Sequence, residues 1–235
     1  MWSREIPVLL IAFGRVEYAR QAFEAIKSAK PKKFYFYTNK GRENHPNECE
    51  RNEMVRALAK EVDWDCNFFT WFRDEPVDMY TSLKGAIDWI FKEEKKAIIL
   101  EEDCVASLAF FDFAEKMLNK YENDNRVWII SGDNYVEDYN PHNTDYHFSK
   151  NTMIYGWASW RERWTKIDWS HSHNIEWIEN GVIDASFSTK KQRNFHKKRL
   201  RKTHDFIERT KCWDTMFFYT ILQENGLCIM PAYNL

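Results

Sequence analysis

The chain has 235 residues and a formal charge of −2, from 34 Lys+Arg against 36 Asp+Glu, with 44% hydrophobic and 17% aromatic residues. Its 7 Gly and 6 Pro stand beside 11 Trp, 11 Tyr and 17 Phe, which excludes a disordered, collagen-like or low-complexity chain. That length can bury a proper core, and no apolar run approaches the roughly 18–20 residues of a membrane span, the longest being Ile6 to Phe13.

Up to about residue 131, strand-like and helix-like segments alternate. Ile6–Phe13 is a continuous apolar run of the kind a strand buried on both faces requires. Ala19, Ala22, Phe23 and Ile26 then recur at helical spacing until Pro31. Phe34–Tyr37 reads as a second strand, residues 48–61 as a charged helix with Met54, Leu58 and Val62 inward, and Phe68–Phe72 as a third strand. Leu83, Ala86, Ile87, Ile90 and Phe91 mark a helix, Ala97–Leu100 a short buried strand, Phe110–Tyr121 a helix, and Val127–Ile130 the next strand. Such alternation predicts βαβ units, an α/β fold with a mostly parallel sheet and helices on both faces.

Beyond about 135 the alternation stops. Residues 136–150 read as loop and 153–177 is dense in tryptophan. A basic helix is expected over about 188–209, then an amphipathic helix near 213–225 and a last strand, Leu227–Met230. The second half, 135–235, reads as an elaboration of the same domain as 1–134, with the chain cut short at its C-terminal end.

Five scattered cysteines (Cys49, Cys66, Cys104, Cys212, Cys228), never spaced as CxxC, suit reduced thiols in a cytoplasmic protein. His171-Ser-His173 fits a surface loop better than a metal site. Lys190–Lys202 carries eight Lys/Arg and no acid, which leaves the remainder of the chain at −10. A block of this kind is ordinarily the solvated face of a helix. With Phe187, Phe195 and Phe206 flanking it, its functional reading is attraction to phosphate or peripheral contact with an anionic membrane surface at the inner face.

In open α/β sheets, ligands bind beyond the carboxyl ends of the strands. That places Gly14-Arg15, Thr38-Asn39, Glu101-Glu102-Asp103 and Ser131-Gly-Asp-Asn134 along one crevice. Three consecutive carboxylates at the end of a buried strand repel one another unless a cation or a set of donors faces them. Oxygen ligands on a loop suit Mn²⁺ or Mg²⁺ together with substrate phosphate. A solvated loop opening a helix explains the spacing equally well, and the position at a crevice-facing strand end favours the metal.

Ile98-Ile-Leu-Glu-Glu-Asp103, Phe110-Phe111, and Asp124-Asn-Arg-Val-Trp-Ile-Ile-Ser-Gly-Asp-Asn134 together resemble the nucleotide-sugar-dependent glycosyltransferases of the GT-A fold. The likeness is to the N-acetylglucosaminyltransferase I type and related bacterial sugar transferases. Ile6–Arg15, Tyr155-Gly-Trp-Ala-Ser-Trp-Arg-Glu-Arg-Trp164, and Trp213-Asp214 with Ile229–Leu235 extend it over most of residues 6–235. The resemblance implies an inverting, metal-dependent transfer of a hexose or N-acetylhexosamine from a nucleotide diphosphate sugar, a UDP-sugar first among donors, to a glycan or lipid-linked glycan in polysaccharide synthesis. No nucleic-acid partner is expected. It implies a metal on Asp103, ribose contact at Glu102, donor-sugar contact at Glu101, and the nucleobase end held by Arg15, Thr38 and Asn39. Asp133, Asn134, Gly156 and Trp157 would shape the donor-sugar and acceptor pocket, Trp157 by stacking on a sugar, and Asp214 would be the general base. Asp214 also fits a plain N-terminal helix acid.

The chain departs from its relatives at Asn39, where Asp is common, and ends before a segment in which many carry a histidine near the diphosphate. A sugar-phosphate nucleotidyltransferase is the alternative enzyme, although Ala12-Phe-Gly-Arg15 lacks extra glycines. A non-catalytic nucleotide-sugar-binding module is the alternative outside catalysis.

Overall fold

The computed structural model describes residues 2–135, 143–169, 173–205 and 213–235. Five strands and four helices alternate first: β1 (Val8–Ala12), α1 (Val16–Ala29), β2 (Lys33–Thr38), α2 (Glu48–Ala57), β3 (Asn67–Phe72), α3 (Met79–Glu93), β4 (Lys96–Glu101), α4 (Leu108–Lys120) and β5 (Val127–Ser131). Then come β6 (Tyr146–Ser149), β7 (Trp157–Trp160), α5 (Arg161–Trp164), α6 (Asn174–Glu179), α7 (Val182–Ser186), α8 (Lys190–Asp205), α9 (Trp213–Gln223) and β8 (Leu227–Pro231). The strands form one sheet in the order β3-β2-β1-β4-β7-β5-β8-β6. The fold is mixed α/β and Rossmann-like, with helices on both faces of a mostly parallel sheet.

The apolar run at the start of the chain divides between two cores because successive strand side chains point to opposite faces. Val8, Leu10 and Ala12 pack with Phe23, Phe34 and Phe110 beneath α1, α2 and α4. Leu9 and Ile11 pack with Ile87, Ile99 and Phe217 beneath α3 and α9. Local caps set the helix ends. Asp78 accepts from the Thr81 N–H to open α3, and Lys30 adopts a left-handed backbone that closes α1 before Pro31.

The expectation of parallel pairing holds for β1 with β2 and β4, β2 with β3, and β5 with β8. It fails at the middle of the sheet, where β7 lies antiparallel to both β4 and β5. This strand falls in the tryptophan-dense stretch. Trp157 and Trp160, three residues apart, therefore point to opposite faces, where a helix would have put them on one. Part of the expected loop 136–150 is also a strand: β6 pairs antiparallel with β8 and forms the sheet edge. Residues 136–142 lie outside the described residues.

Smaller corrections follow from local packing. Helix α2 ends at Ala57 and continues as a 3₁₀ turn, Leu58–Glu61, so Val55 and Leu58 face the core and Met54 is exposed. The basic helix spans 190–205, and Phe206, Cys212 and His171 lie outside the described residues. A third core of Trp177, Ile183, Phe187, Leu200, Tyr219 and Leu222 sits beneath α8. Among the described residues no helix is long and apolar enough to cross a membrane, and the cysteines are free.

Candidate active site

The carboxyl ends of β1, β2 and β4 converge, and the acidic triplet at the end of β4 divides its work. Glu102 is buried at 5% exposure, and its carboxylate is committed to the protein. Oε2 accepts from the backbone N–H groups of Phe13, Gly14 and Arg15 (2.8, 3.2 and 3.3 Å), while Oε1 accepts from Arg15 Nε at 2.7 Å. Helix α1 has no side-chain cap of its own, and Glu102 supplies its opening turn with an acceptor from 87 residues away. The ribose contact expected of Glu102 is thus replaced by a scaffold role, because four donors already occupy its oxygens.

Arg15 reaches on to Asp103, with Nη1 2.9 Å from Oδ2. Both side chains are solvent-facing, at 52% for Arg15 and 41% for Asp103. Glu101 differs from both. Burial first, then the charges of Asp103, Glu102 and Asp214, push its carboxyl up to about 7, against a partial offset from Arg15.

A cavity of about 850 Å³ opens on one side of this ridge, lined by Arg15, Asn39, Lys40, Arg42, Arg51 and Glu101 among others. Asn39 shapes its wall: Nδ2 donates to the Val77 carbonyl at 2.8 Å while Oδ1 accepts from the N–H groups of Lys40 and Val77. The Arg42–Glu48 pair closes the loop, and hydrogen bonds from Arg42 pull the Glu48 carboxyl down to about 2. Thr38, expected at the nucleobase, is fully buried, and its hydroxyl accepts from Arg56 Nε at 2.9 Å. It supports the cavity from behind.

A second cavity, of about 470 Å³, has Asp103 in its lining. Gly132, Asp133, Tyr135, Tyr155 and Gly156 line it, together with the C-terminal Asn234 and Leu235. Gly156 has φ +78°, a left-handed backbone suited to glycine, and its carbonyl accepts from the Gly132 N–H at 2.8 Å. The C-terminal segment straps this loop, since the Leu235 N–H donates to Gly132 and Asn134 Nδ2 to Ala232. Asn134 is buried in that strap, which explains why its amide positions the pocket wall without opening into it. Asp133 has a buried Oδ2 without a hydrogen-bond partner, and burial pushes its carboxyl up to about 6.

Two expected site residues fall elsewhere. Trp157 is 1% exposed, its ring packed against Trp213 and Phe217 at centroid distances of 6.2 and 5.2 Å. The pleat of β7 turns that ring into the core, away from both cavities. Asp214 lies in the first turn of α9, 46% exposed and 3.4 Å from Arg199, and does not line either cavity although Glu101 feels its charge. Tyr135 and Tyr155 are site residues that the sequence does not single out. Their exposed rings meet edge to face at 6.0 Å on the rim of the second cavity. Their neighbours Asp133 and Gly156 are the only sequence signal for them.

The donor chemistry suits a hard divalent cation. No described histidine lines either cavity, and burial pushes the Cys104 thiol up to about 12, so it is protonated and a poor ligand. Among the described residues no cluster of three or more metal-ligating side chains assembles. A cation here would take Asp103 Oδ1 as its protein ligand and depend on phosphate and water for the rest, which is how Mg²⁺ is commonly held.

No family model matches the chain, and no curated protein sequence matches it. Among solved structures it is similar to 4-diphosphocytidyl-2C-methyl-D-erythritol synthase from Anaerococcus prevotii DSM 20548, at a TM-score of 0.41 and 12% identity, over 94% of this chain and 98% of that one. The reading of the site rests on its own geometry.

Proposed function

We propose that the chain is an inverting glycosyltransferase of the GT-A kind, moving a sugar from a nucleotide diphosphate donor, foremost a UDP-sugar, to a glycan hydroxyl. The observation that carries this reading is the acidic ridge Glu101-Glu102-Asp103, whose first two residues line the large, partly basic cavity and whose last, the half-exposed Asp103, lines the smaller one rimmed by tyrosines. The larger takes the nucleotide and the smaller the sugar, and the acceptor hydroxyl comes within reach of Asp214, outside both linings. A bound Mn²⁺ or Mg²⁺ would offset the charge that develops on the leaving diphosphate. Arg15 does part of that work from the protein side, its guanidinium already beside Asp103. Asp133 accepts a hydroxyl of the sugar or acceptor. Asp214 is the base that removes the acceptor proton as attack proceeds.

A second reading, a sugar-phosphate nucleotidyltransferase, uses the same crevice. Lys40, Arg42 and Arg51 on the wall of the larger cavity suit a triphosphate as well as a diphosphate. The turn after β1 supports the first reading, because its three N–H groups are committed to Glu102 and are not open to a triphosphate.

A thermal-shift screen tests both, since a ligand bound only by the folded state raises the melting temperature by mass action. UDP-sugars with Mn²⁺ are expected to raise it more than nucleoside triphosphates with Mn²⁺, and the reverse order would favour the second reading. Asp214→Asn should keep donor binding and lose transfer. Turnover at the unsubstituted rate in that variant would remove Asp214 as base and pass the role to Asp133. Donor binding without turnover in the unsubstituted chain would leave a binding module.

A further inference from the structure

Helix α8 has two sides of different chemistry. Its inner side is tied down: Leu200 is fully buried, and the His196 ring stacks on Phe187 at 3.9 Å and 7°, with Nδ1 2.9 Å from the Tyr219 hydroxyl. Three of the eight cations belong to that side. Lys197 and Arg193 pair with Asp184 (2.6 and 3.8 Å), and Arg199 pairs with Asp214 while donating to Thr215 Oγ1 at 2.8 Å.

The other five, Lys190, Lys191, Lys198, Arg201 and Lys202, are exposed and make no ion pair among the described side chains. At 3.6 residues per turn they fall within one arc of about 120°. Phe195, 60% exposed, borders that arc, and the first acid comes only at Asp205, the last residue of the helix. These cations are gathered on one face, while the chain outside 190–202 sums to −10, a separation of charge that suits a negative surface.

We propose that the outer face of α8 docks on an anionic lipid surface, the helix lying in the plane of the headgroups with the Phe195 ring at its apolar boundary. Cations near such a surface and an aromatic ring at the acyl boundary are the two contributions that hold an interfacial helix. The inference stands on the helix alone and does not depend on the transferase reading.

Co-sedimentation of the full chain with vesicles tests it. Binding is expected to phosphatidylcholine vesicles containing about a third phosphatidylglycerol, not to phosphatidylcholine alone, and is expected to fall as salt shortens the screening length. Each Lys or Arg near an anionic surface contributes about fivefold, so Lys191→Gln, Lys198→Gln and Lys202→Gln together should weaken partition about a hundredfold. The corresponding triple replacement by Arg should restore it, and Lys197→Gln, which loses only the Asp184 pair, should lower it by no more than the single-charge step. Equal partition of the triple Gln variant and the unsubstituted chain, absence of binding to the anionic vesicles, or preference for duplex DNA over them would each overturn the proposal.

Discussion

The two cavities that flank Asp103 treat their polar groups in opposite ways. In the larger, Glu102, Glu48 and Asn39 spend their oxygens on the protein, four donors on Glu102 alone. In the smaller, Asp133 keeps a buried oxygen without a hydrogen-bond partner, and burial holds its carboxyl above the ordinary carboxylate range. A satisfied buried carboxylate fixes backbone and fixes geometry. One left short of partners stores unfavourable desolvation that a ligand hydroxyl or a cation can relieve. The first cavity is therefore built as a mould, and the second as a set of groups awaiting partners.

That contrast makes its largest prediction at Glu102. Glu102→Ala leaves three backbone N–H groups without their acceptor, and should destabilise the fold by about 3–5 kcal/mol, since each such group costs about 1–3 kcal/mol and the half-exposed Arg15 guanidinium turns to water. A shift of the urea midpoint at constant slope is the measurement. A change under about 1 kcal/mol would mean that Glu102 is not holding the mould.

Asp133 should behave oppositely. Its carboxyl rises from 3.8 to about 6 in the folded chain, so the folded state binds the proton more tightly than the unfolded one. Stability is full below about 3.8 and is lost as pH rises through about 6. Asp133→Asn keeps an acceptor for the Tyr155 N–H and never ionises. It should match the unsubstituted chain near pH 4 and exceed it by about 1–2 kcal/mol at pH 8, once solvent screening is allowed for. Melting curves at both pH values decide it, and a variant less stable at pH 8 would show that the charge has a partner.

How far the sequence discloses all this depends on the range of the interaction involved. Strands β1, β2, β4 and β5 announce themselves because a buried strand needs a continuous apolar run, edge strand β3 by its aromatic residues, and the helices between them because an amphipathic face repeats locally. Strand β7 does not: Trp157-Ala-Ser-Trp160 is four residues long, and only its insertion between β4 and β5 gives its two tryptophans opposite faces. The acids at the end of β4 are visible as an anomaly, yet nothing in the triplet says that Glu102 turns inward to Gly14 while Asp103 turns outward. That division comes from the β1–β4 register, which sets Ile11 opposite Glu101. Trp157 misleads for the same reason, since Gly156 lines the smaller cavity while the pleat of β7 turns the next side chain into the core. Tyr135 and Tyr155 have no period to betray them.

The smallest stability effect belongs to Asp103, and it is the most discriminating. Its link to Arg15 is an exposed pair, and such pairs contribute little because water and salt compete for both charges. Asp103→Asn should therefore change stability by no more than about 0.5 kcal/mol, a tenth of the upper figure for Glu102, although the two residues are adjacent and touch the same arginine. The same substitution weakens the ligand for a hard cation, so the additional rise in melting temperature that Mn²⁺ gives with a UDP-sugar should disappear. Both outcomes are read from one set of melting curves. If Asp103→Asn cost as much stability as Glu102→Ala, Asp103 would belong to the mould rather than to the ridge, and the cation would need another ligand. If stability held and the Mn²⁺ increment also survived, the ridge would be free of metal and Arg15 would carry the diphosphate charge alone.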